Sequence, residues 1–213
     1  MPTDPAACFD TLASDARWHA FDAEERRKVD AFVRRWNIRS GDHMLEPGCG
    51  AGRLTEVLAA LTGPTGSVVA FDASPEFMRL TAQRALPPHV ILHTACVAAL
   101  PLPPDSFDQV ICFNVFPHLT PLLETTRRLA AALRPRGMFW IAHTRSREIV
   151  NAVHREGSPA FHDHILPAPE ELTQLLRAAG LDEVEIEDGA DHFLARAVRP
   201  APSAAAVHPD GRV

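Results

Sequence analysis

The stretch Met44–Leu61, MLEPGCGAGRLTEVLAAL, decides how the rest of the chain is read. A short apolar run ends on Glu46 and Pro47. Three glycines follow at alternate positions, Gly48, Gly50 and Gly52, and RLTEVLAAL then continues as an apolar-faced helix. The pattern is that of a buried strand, a tight glycine turn and a helix. Glycine tolerates positive φ and lets a partner come close to the backbone. The helix behind the turn offers free N–H groups and the positive end of its dipole. Three missing side chains at one turn therefore imply a ligand held against the main chain.

On either side of that turn, HMLEP (43–47), GSVVAFD (66–72), HVILHTA (89–95), FDQVICFNV (107–115) and GMFWIAHT (137–144) read as buried strands. Helical patterns lie between them. SPEFMRLTAQRAL (74–86) opens with Ser74 as N-cap, Pro75 at the first helical position and Glu76 in the first turn. LTPLLETTRRLAAALRP (119–135) is expected to stop at Pro135 and Gly137. This alternation predicts βαβ units and a parallel sheet. Helices at REIVNAVHREG (147–157) and PEELTQLLRAAG (169–180) flank a loop, PAFHDHILPA, and DEVEIED and DHFLARAV read as two closing strands. Before the glycine turn, AEERRKVDAFVRRWNI places Val29, Phe32, Val33 and Trp36 at helical spacing. The expected organisation is an N-terminal lid and helix over 1–39, one α/β domain over 40–198, and a disordered tail over 199–213 rich in Pro and Ala.

Composition narrows the partners. Of 213 residues, 27 are acidic and 21 basic, for a net charge of −6, and no Lys/Arg block is present. That argues against a nucleic-acid partner held through phosphates. No apolar run approaches the roughly 20 residues needed to span a bilayer. Nor is there a basic-then-apolar leader pattern. A cytoplasmic protein without a membrane partner, monomeric or homodimeric, is expected. Cys8, Cys49, Cys96 and Cys112 are scattered, which disfavours a disulfide framework or a zinc ribbon.

In an open parallel sheet, ligands sit beyond the carboxyl ends of the strands, where the strand order reverses. Asp72 closes the second strand 20 residues after Gly52. A carboxylate there can accept both hydroxyls of a ribose. A nicotinamide dinucleotide site fits poorly: the third glycine comes one position early, and Arg53 stands where that fingerprint needs glycine.

LEPGCGAGRL, Asp72, ALPLPPDSFDQVICFNVFPHL and ALRPRGMFWIAH, in this order, resemble the ordered motifs of class I S-adenosylmethionine-dependent methyltransferases over about residues 40–145. The early FDTLASDARW resembles that family's N-terminal lid. The resemblance implies a Rossmann-like, seven-stranded, mostly parallel sheet with helices on both faces and the last strand antiparallel. It implies S-adenosyl-L-methionine as cofactor. Carried over residue by residue, Glu46 lies near the cofactor's amino group, and Gly48, Gly50 and Gly52 let the amino-acid part rest on the backbone. Asp72 holds the ribose, Ala73 and Met78 lie against the adenine, and Asn114 and Val115 face the methionine portion. The family's usual acid for the adenine amino group falls at Cys96, a poor acceptor, which leaves the adenine to the Val97 N–H and apolar contacts.

Methyl transfer from a sulfonium asks the protein mainly for positioning and for exclusion of water. A base is needed only where the acceptor must lose a proton. His118 and His143, each just past a strand at the ligand edge, are the candidate catalytic residues, and HTRSREIVNAVHREGSPAFHDHILP adds His154, His162 and His164. An imidazole base predicts a rate that rises through a pKa near ~6–7. No histidine pair has zincin spacing, so a metal would rest on clustering alone. His19, His43, His89, His93, His192 and His208 read as structural or surface residues, and Trp18 as a hydrophobic cover. A small-molecule acceptor is the leading expectation. A protein or RNA acceptor, or a cofactor-binding protein without catalysis, are the alternatives.

Overall fold

The computed structural model describes residues 5–202. The elements run α1 (Pro5–Leu12), α2 (Ala23–Trp36), β1 (His43–Pro47), α3 (Arg53–Thr62), β2 (Ser67–Asp72), α4 (Pro75–Ala82), β3 (Val90–Thr94) and β4 (Phe107–Phe113). They continue with α5 (Leu122–Ala132), β5 (Leu133–His143), α6 (Arg147–Glu156), α7 (Pro169–Ala178), β6 (Asp182–Asp188) and β7 (Phe193–Val198). One sheet holds all seven strands in the order β3-β2-β1-β4-β5-β7-β6. Five pair in parallel, and β7 runs antiparallel to both β5 and β6. The order reverses between β1 and β4, so the crevice beyond their carboxyl ends is where a ligand belongs.

Alternation along the strands builds two cores. Leu45, Val110, Cys112, Phe139, Ile141 and Phe193 pack on one face with Leu129 of α5 and Leu172 and Leu176 of α7. Met44, Val68, Ile111, Trp140 and Leu194 pack on the other with Val29, Phe32 and Trp36 of α2 and Leu54 and Leu58 of α3. Helices thus cover both faces. The expected cap forms at Ser74, which accepts from Phe77, and Asp22 caps α2 by accepting from the Glu24 and Glu25 N–H groups.

Several boundaries differ from the sequence reading by a few residues, and two of them shape the sheet. Helix α5 ends at Ala132, before the expected Pro135, because a residue preceding proline avoids the helical region. Leu133 already pairs with Phe107, and the register shifts before Gln109 meets Met138. Arg199, assigned to the tail, is held in place. It exchanges backbone hydrogen bonds with Arg136 and Gly137 at 2.8 and 2.9 Å, and its guanidinium pairs with Asp105 at 2.6 Å. Residues 203–213, the rest of the expected tail, and residues 1–4 of the expected lid lie outside the described residues. Among the described residues no helix is long and apolar enough to cross a membrane.

Candidate functional site

The glycine turn leaves β1 with Gly48, Gly50 and Gly52 at φ of +66°, +55° and +74°. The Gly48 and Cys49 N–H groups donate to the Phe71 carbonyl at 2.7 and 3.0 Å, which ties the turn to the end of β2. Asp72 follows there. Its Oδ2 accepts from the Gly50 N–H at 3.0 Å and its Oδ1 from the Ser74 N–H at 2.9 Å. Each oxygen keeps a lone pair for a hydroxyl donor. Burial raises the Asp72 carboxyl above the usual range, while the N–H donors oppose the shift.

The glycines serve different ends. A Cβ on Gly48 would stand 2.2 Å from Val115 Cγ2, and one on Gly52 would stand 2.7 Å from Thr81 Cγ2. Both are excluded by the fold itself. A Cβ on Gly50 would meet nothing within 4 Å, because it would point into open space above the turn.

That space is a cavity of about 830 Å³. At its base lies Glu46, only 2% exposed, whose Oε2 accepts from the Thr55 hydroxyl at 2.7 Å. Burial pushes its carboxyl up to about 8. Ala73, Phe77, Cys96, Val97, Asn114 and Val115 line the cavity farther along, and it continues to His118, His143 and His154. One sequence-predicted residue is displaced. Met78 turns its side chain into the core against Cys49, with sulfurs 3.6 Å apart, and does not line the cavity; Phe77, one position earlier on α4, does. Asn114, at φ +53°, is tied to Thr144: its Oδ1 accepts from the Thr144 N–H at 3.0 Å and its Nδ2 donates to the Thr144 hydroxyl at 3.3 Å. Cys96 is exposed, and its carbonyl accepts from Ala99 and Leu100 in a turn.

The N-terminal segment roofs the cavity, and its anchors were not legible in the sequence. Buried Arg53 donates to the carbonyls of Arg17 and Ala20 at 3.2 and 3.1 Å and pairs with Glu25 at 2.9 Å. Its guanidinium lies 4.4 Å from the Phe21 ring centroid and 5.8 Å from that of Trp18. Arg84 bonds the carbonyls of Ala51 and His19. Ser74 donates to Asp10 on α1. Trp18 lines the cavity edge-on to Phe77, and its indole N–H is buried without a partner among the described residues.

The far end is a chamber of imidazoles and phenyl rings. His118 Nδ1 lies 2.8 Å from His164 Nδ1, and His154 Nδ1 meets the His164 carbonyl. The His118 ring stands 5.0 Å from both Phe9 of α1 and Phe161, and 4.7 Å from His154. His162 stays exposed outside the cluster. His143, 3% exposed, has its Nε2 buried without a hydrogen-bond partner among the described residues. Burial drives His143 down to about 3, and burial with neighbouring imidazoles holds His118 well below its ordinary value. His154 and His164 are lowered as well, chiefly by burial. This corrects the expectation of a base titrating near neutrality: these rings are neutral at pH 7. Among the described residues, no three His, Cys, Asp or Glu side chains are placed to hold a metal ion.

Comparison with known proteins adds to this geometry. Residues 44–137 match the family model described as a methyltransferase domain. The chain is 32% identical, over 76% of its length and 60% of the relative's, to the Mycolicibacterium smegmatis protein named "probable S-adenosylmethionine-dependent methyltransferase". It is 29% identical, over 70% of its length and 65% of the relative's, to a ubiquinone biosynthesis O-methyltransferase of Xanthomonas euvesicatoria. Alignments with the first curated relatives thus take in 45% to 65% of those proteins' own length. A solved S-adenosylmethionine-dependent methyltransferase of Aquifex aeolicus shares the fold, with a TM-score of 0.67 at 21% identity, over 91% of this chain and 98% of that one.

Proposed function

We propose that this chain, which belongs to the class I S-adenosylmethionine-dependent methyltransferases, binds S-adenosylmethionine across the glycine turn and methylates a small, uncharged acceptor in the imidazole chamber. One observation carries the reading. A single cavity joins Gly50 and Asp72 at one end to His118, His143 and His154 at the other. When bound, the cofactor supplies a methyl group on a positively charged sulfur, already activated for in-line displacement.

The residues present fit that group. Asp72 retains acceptor capacity on both oxygens for the ribose hydroxyls. The open space above Gly50 gives the amino-acid part a bare backbone to lie on. Glu46, buried and mostly protonated when the site is free, becomes a counter-charge once an ammonium lies near. Val97 and Phe77 supply apolar surface for the adenine, and the Trp18–Phe77 roof keeps water out. At the acceptor end His143 Nε2 lacks a partner among the described residues, and a hydroxyl reaching it would satisfy a buried nitrogen whose isolation costs about 1–3 kcal/mol. His143, with His118 beside it, thus orients the acceptor's oxygen as a neutral hydrogen-bond acceptor, and the proton released on methylation passes to solvent. The Xanthomonas relative is named an O-methyltransferase, which supports oxygen as the accepting atom. The acidic chain favours a small acceptor over RNA.

The test is formation of S-adenosylhomocysteine from S-adenosylmethionine with a panel of small phenols and catechols, run beside tRNA and protein mixtures. Turnover with the phenolic panel, lost in His143→Ala, is expected. Turnover confined to the macromolecules would overturn the acceptor assignment.

A further inference from the structure

Helix α6 forms one wall of the acceptor chamber with Val150 and His154, which lie four residues apart on one stripe. The neighbouring stripe carries Ile149 and Val153, again four apart, and it faces outward: the two are 44% and 49% exposed. Among the described residues only one other large hydrophobic, Ile91 on the edge strand β3, is comparably exposed, so the pair is a feature of α6. Single exposed apolar side chains are ordinary. What sets this pair apart is continuity, because Val153 lines the cavity and also reaches the surface. Across the opening, Cys8 of α1 contacts Ser158 at 3.5 Å, and Phe9 and Phe161 complete the apolar rim. The chamber thus opens onto an apolar track that no described residue covers. Inside, His118 meets His164 and His154 meets the His164 carbonyl, while Glu124, Arg128 and Arg145 supply the charged part of the cavity's lining beyond the imidazoles.

We propose that the methyl acceptor carries a hydrocarbon tail, which leaves the imidazole chamber past Val153 and lies along the Ile149–Val153 face of α6. This rests on the reading of the cavity as a methyltransferase site and adds the acceptor's shape to it. The occupant is the acceptor's own apolar part because the track starts inside the chamber. Burying each methylene of such a tail gives roughly a fourfold gain in affinity where the contact is complete, so a partly covered tail of several carbons should gain at least about tenfold.

The experiment uses the full chain and 4-alkylphenols, from 4-methylphenol to 4-octylphenol, titrated below their solubility limits with and without saturating S-adenosylhomocysteine. In the wild type, affinity should climb with chain length by about tenfold or more overall. In Ile149→Ser/Val153→Ser, two exposed positions whose change spares the core, the climb should shrink to about twofold or less. Affinity for S-adenosylhomocysteine, bound at the Gly50–Asp72 end, should stay the same. No chain-length gain in the wild type, or a gain that survives in the double variant, overturns the proposal. So does a wild type that self-associates or pellets with phosphatidylcholine vesicles through these two residues, which would assign the face to a second copy or to a bilayer. Failure of S-adenosylhomocysteine to bind would instead overturn the cofactor reading, and the alkylphenol series without it would still report on the track.

Discussion

Gly50, Glu46 and His143 show how much one residue can say, and where a sequence stops saying it. The glycines were legible as a ligand turn, but only the structure separates their roles. Gly48 and Gly52 lack room for any Cβ, so their substitution reports on folding. Gly50→Val instead strains a φ of +55° and fills open cavity. It should retain most of its circular-dichroism signal and lose S-adenosylhomocysteine binding; unchanged affinity would refute close approach at this turn. Glu46 was legible as a position, while its protonation was not, because burial is a property of the fold. With the free carboxyl pushed up to about 8, binding of a cationic amino group at pH 7 should release a proton, approaching about one per site. Titration calorimetry in buffers of different ionisation enthalpy measures this release. Glu46→Gln should abolish it, and an equal release in that variant would assign the proton elsewhere. For His143, driven down to about 3, the rate should stay flat from about pH 5 upward as far as this ring is concerned, with no step near 6–7. Through lost orientation of the acceptor, His143→Ala should slow turnover by about 10²-fold with cofactor affinity unchanged. A clear rate step near 6.5 that disappears in His143→Ala would contradict the neutral-ring account.

Among the elements, the N-terminal roof was the hardest to read in advance. Its helix α1 has no strong period, and its position depends on partners far along the chain: Arg53 for Arg17, Ala20 and Glu25, Arg84 for His19, and Ser74 for Asp10. Contacts of that separation leave no local pattern. Strands β1 to β5 were legible because each is a short apolar run bounded by turn residues, and α4 because Ser74 and Pro75 mark its start. Its inner register was not, since Phe77 and Met78 are both apolar and only packing decides which faces the cavity. Arg53 ties the roof to α3 through buried bonds, so Arg53→Met should loosen the segment over 13–22. Dissociation of S-adenosylhomocysteine, followed by stopped flow, should quicken by about tenfold, and limited proteolysis should cut there first. Unchanged dissociation with an intact fold would mean that the roof does not gate the cofactor.

At the scale of the whole molecule, the buried titratable groups set a stability profile for the free protein. His118 and His143 resist protonation when folded, so the stability they contribute is present above 6.5 and is lost as pH falls below it. Glu46 resists ionisation, so its contribution is present below 4.5 and is lost as pH rises toward about 8. Between 4.5 and 6.5 the lowered histidines, with His154 and His164 adding to them, outweigh the raised carboxyls of Glu46 and Asp72, and stability rises with pH; above 6.5 Glu46 makes it fall, and the raised thiols of Cys49 and Cys112 add to the fall toward pH 9. These groups place a maximum near pH 6.5, with a slope of about 1.4 kcal/mol per pH unit per proton. Thermal melts from pH 5 to 9 check this, and stability that climbs steadily to pH 9 would contradict the buried protonated Glu46. The proposed cofactor site lies at the edge where the strand order reverses, with Asp72 fixed by the Gly50 and Ser74 N–H groups. Titration calorimetry of S-adenosylhomocysteine against wild type and Asp72→Ala tests it most directly, with melting curves to confirm that both are folded. One site per chain is expected in the wild type, and a loss of about 2–3 kcal/mol, roughly 30- to 150-fold, in the variant. A folded Asp72→Ala protein that binds as tightly as the wild type, or a wild type that shows no saturable binding, would contradict it.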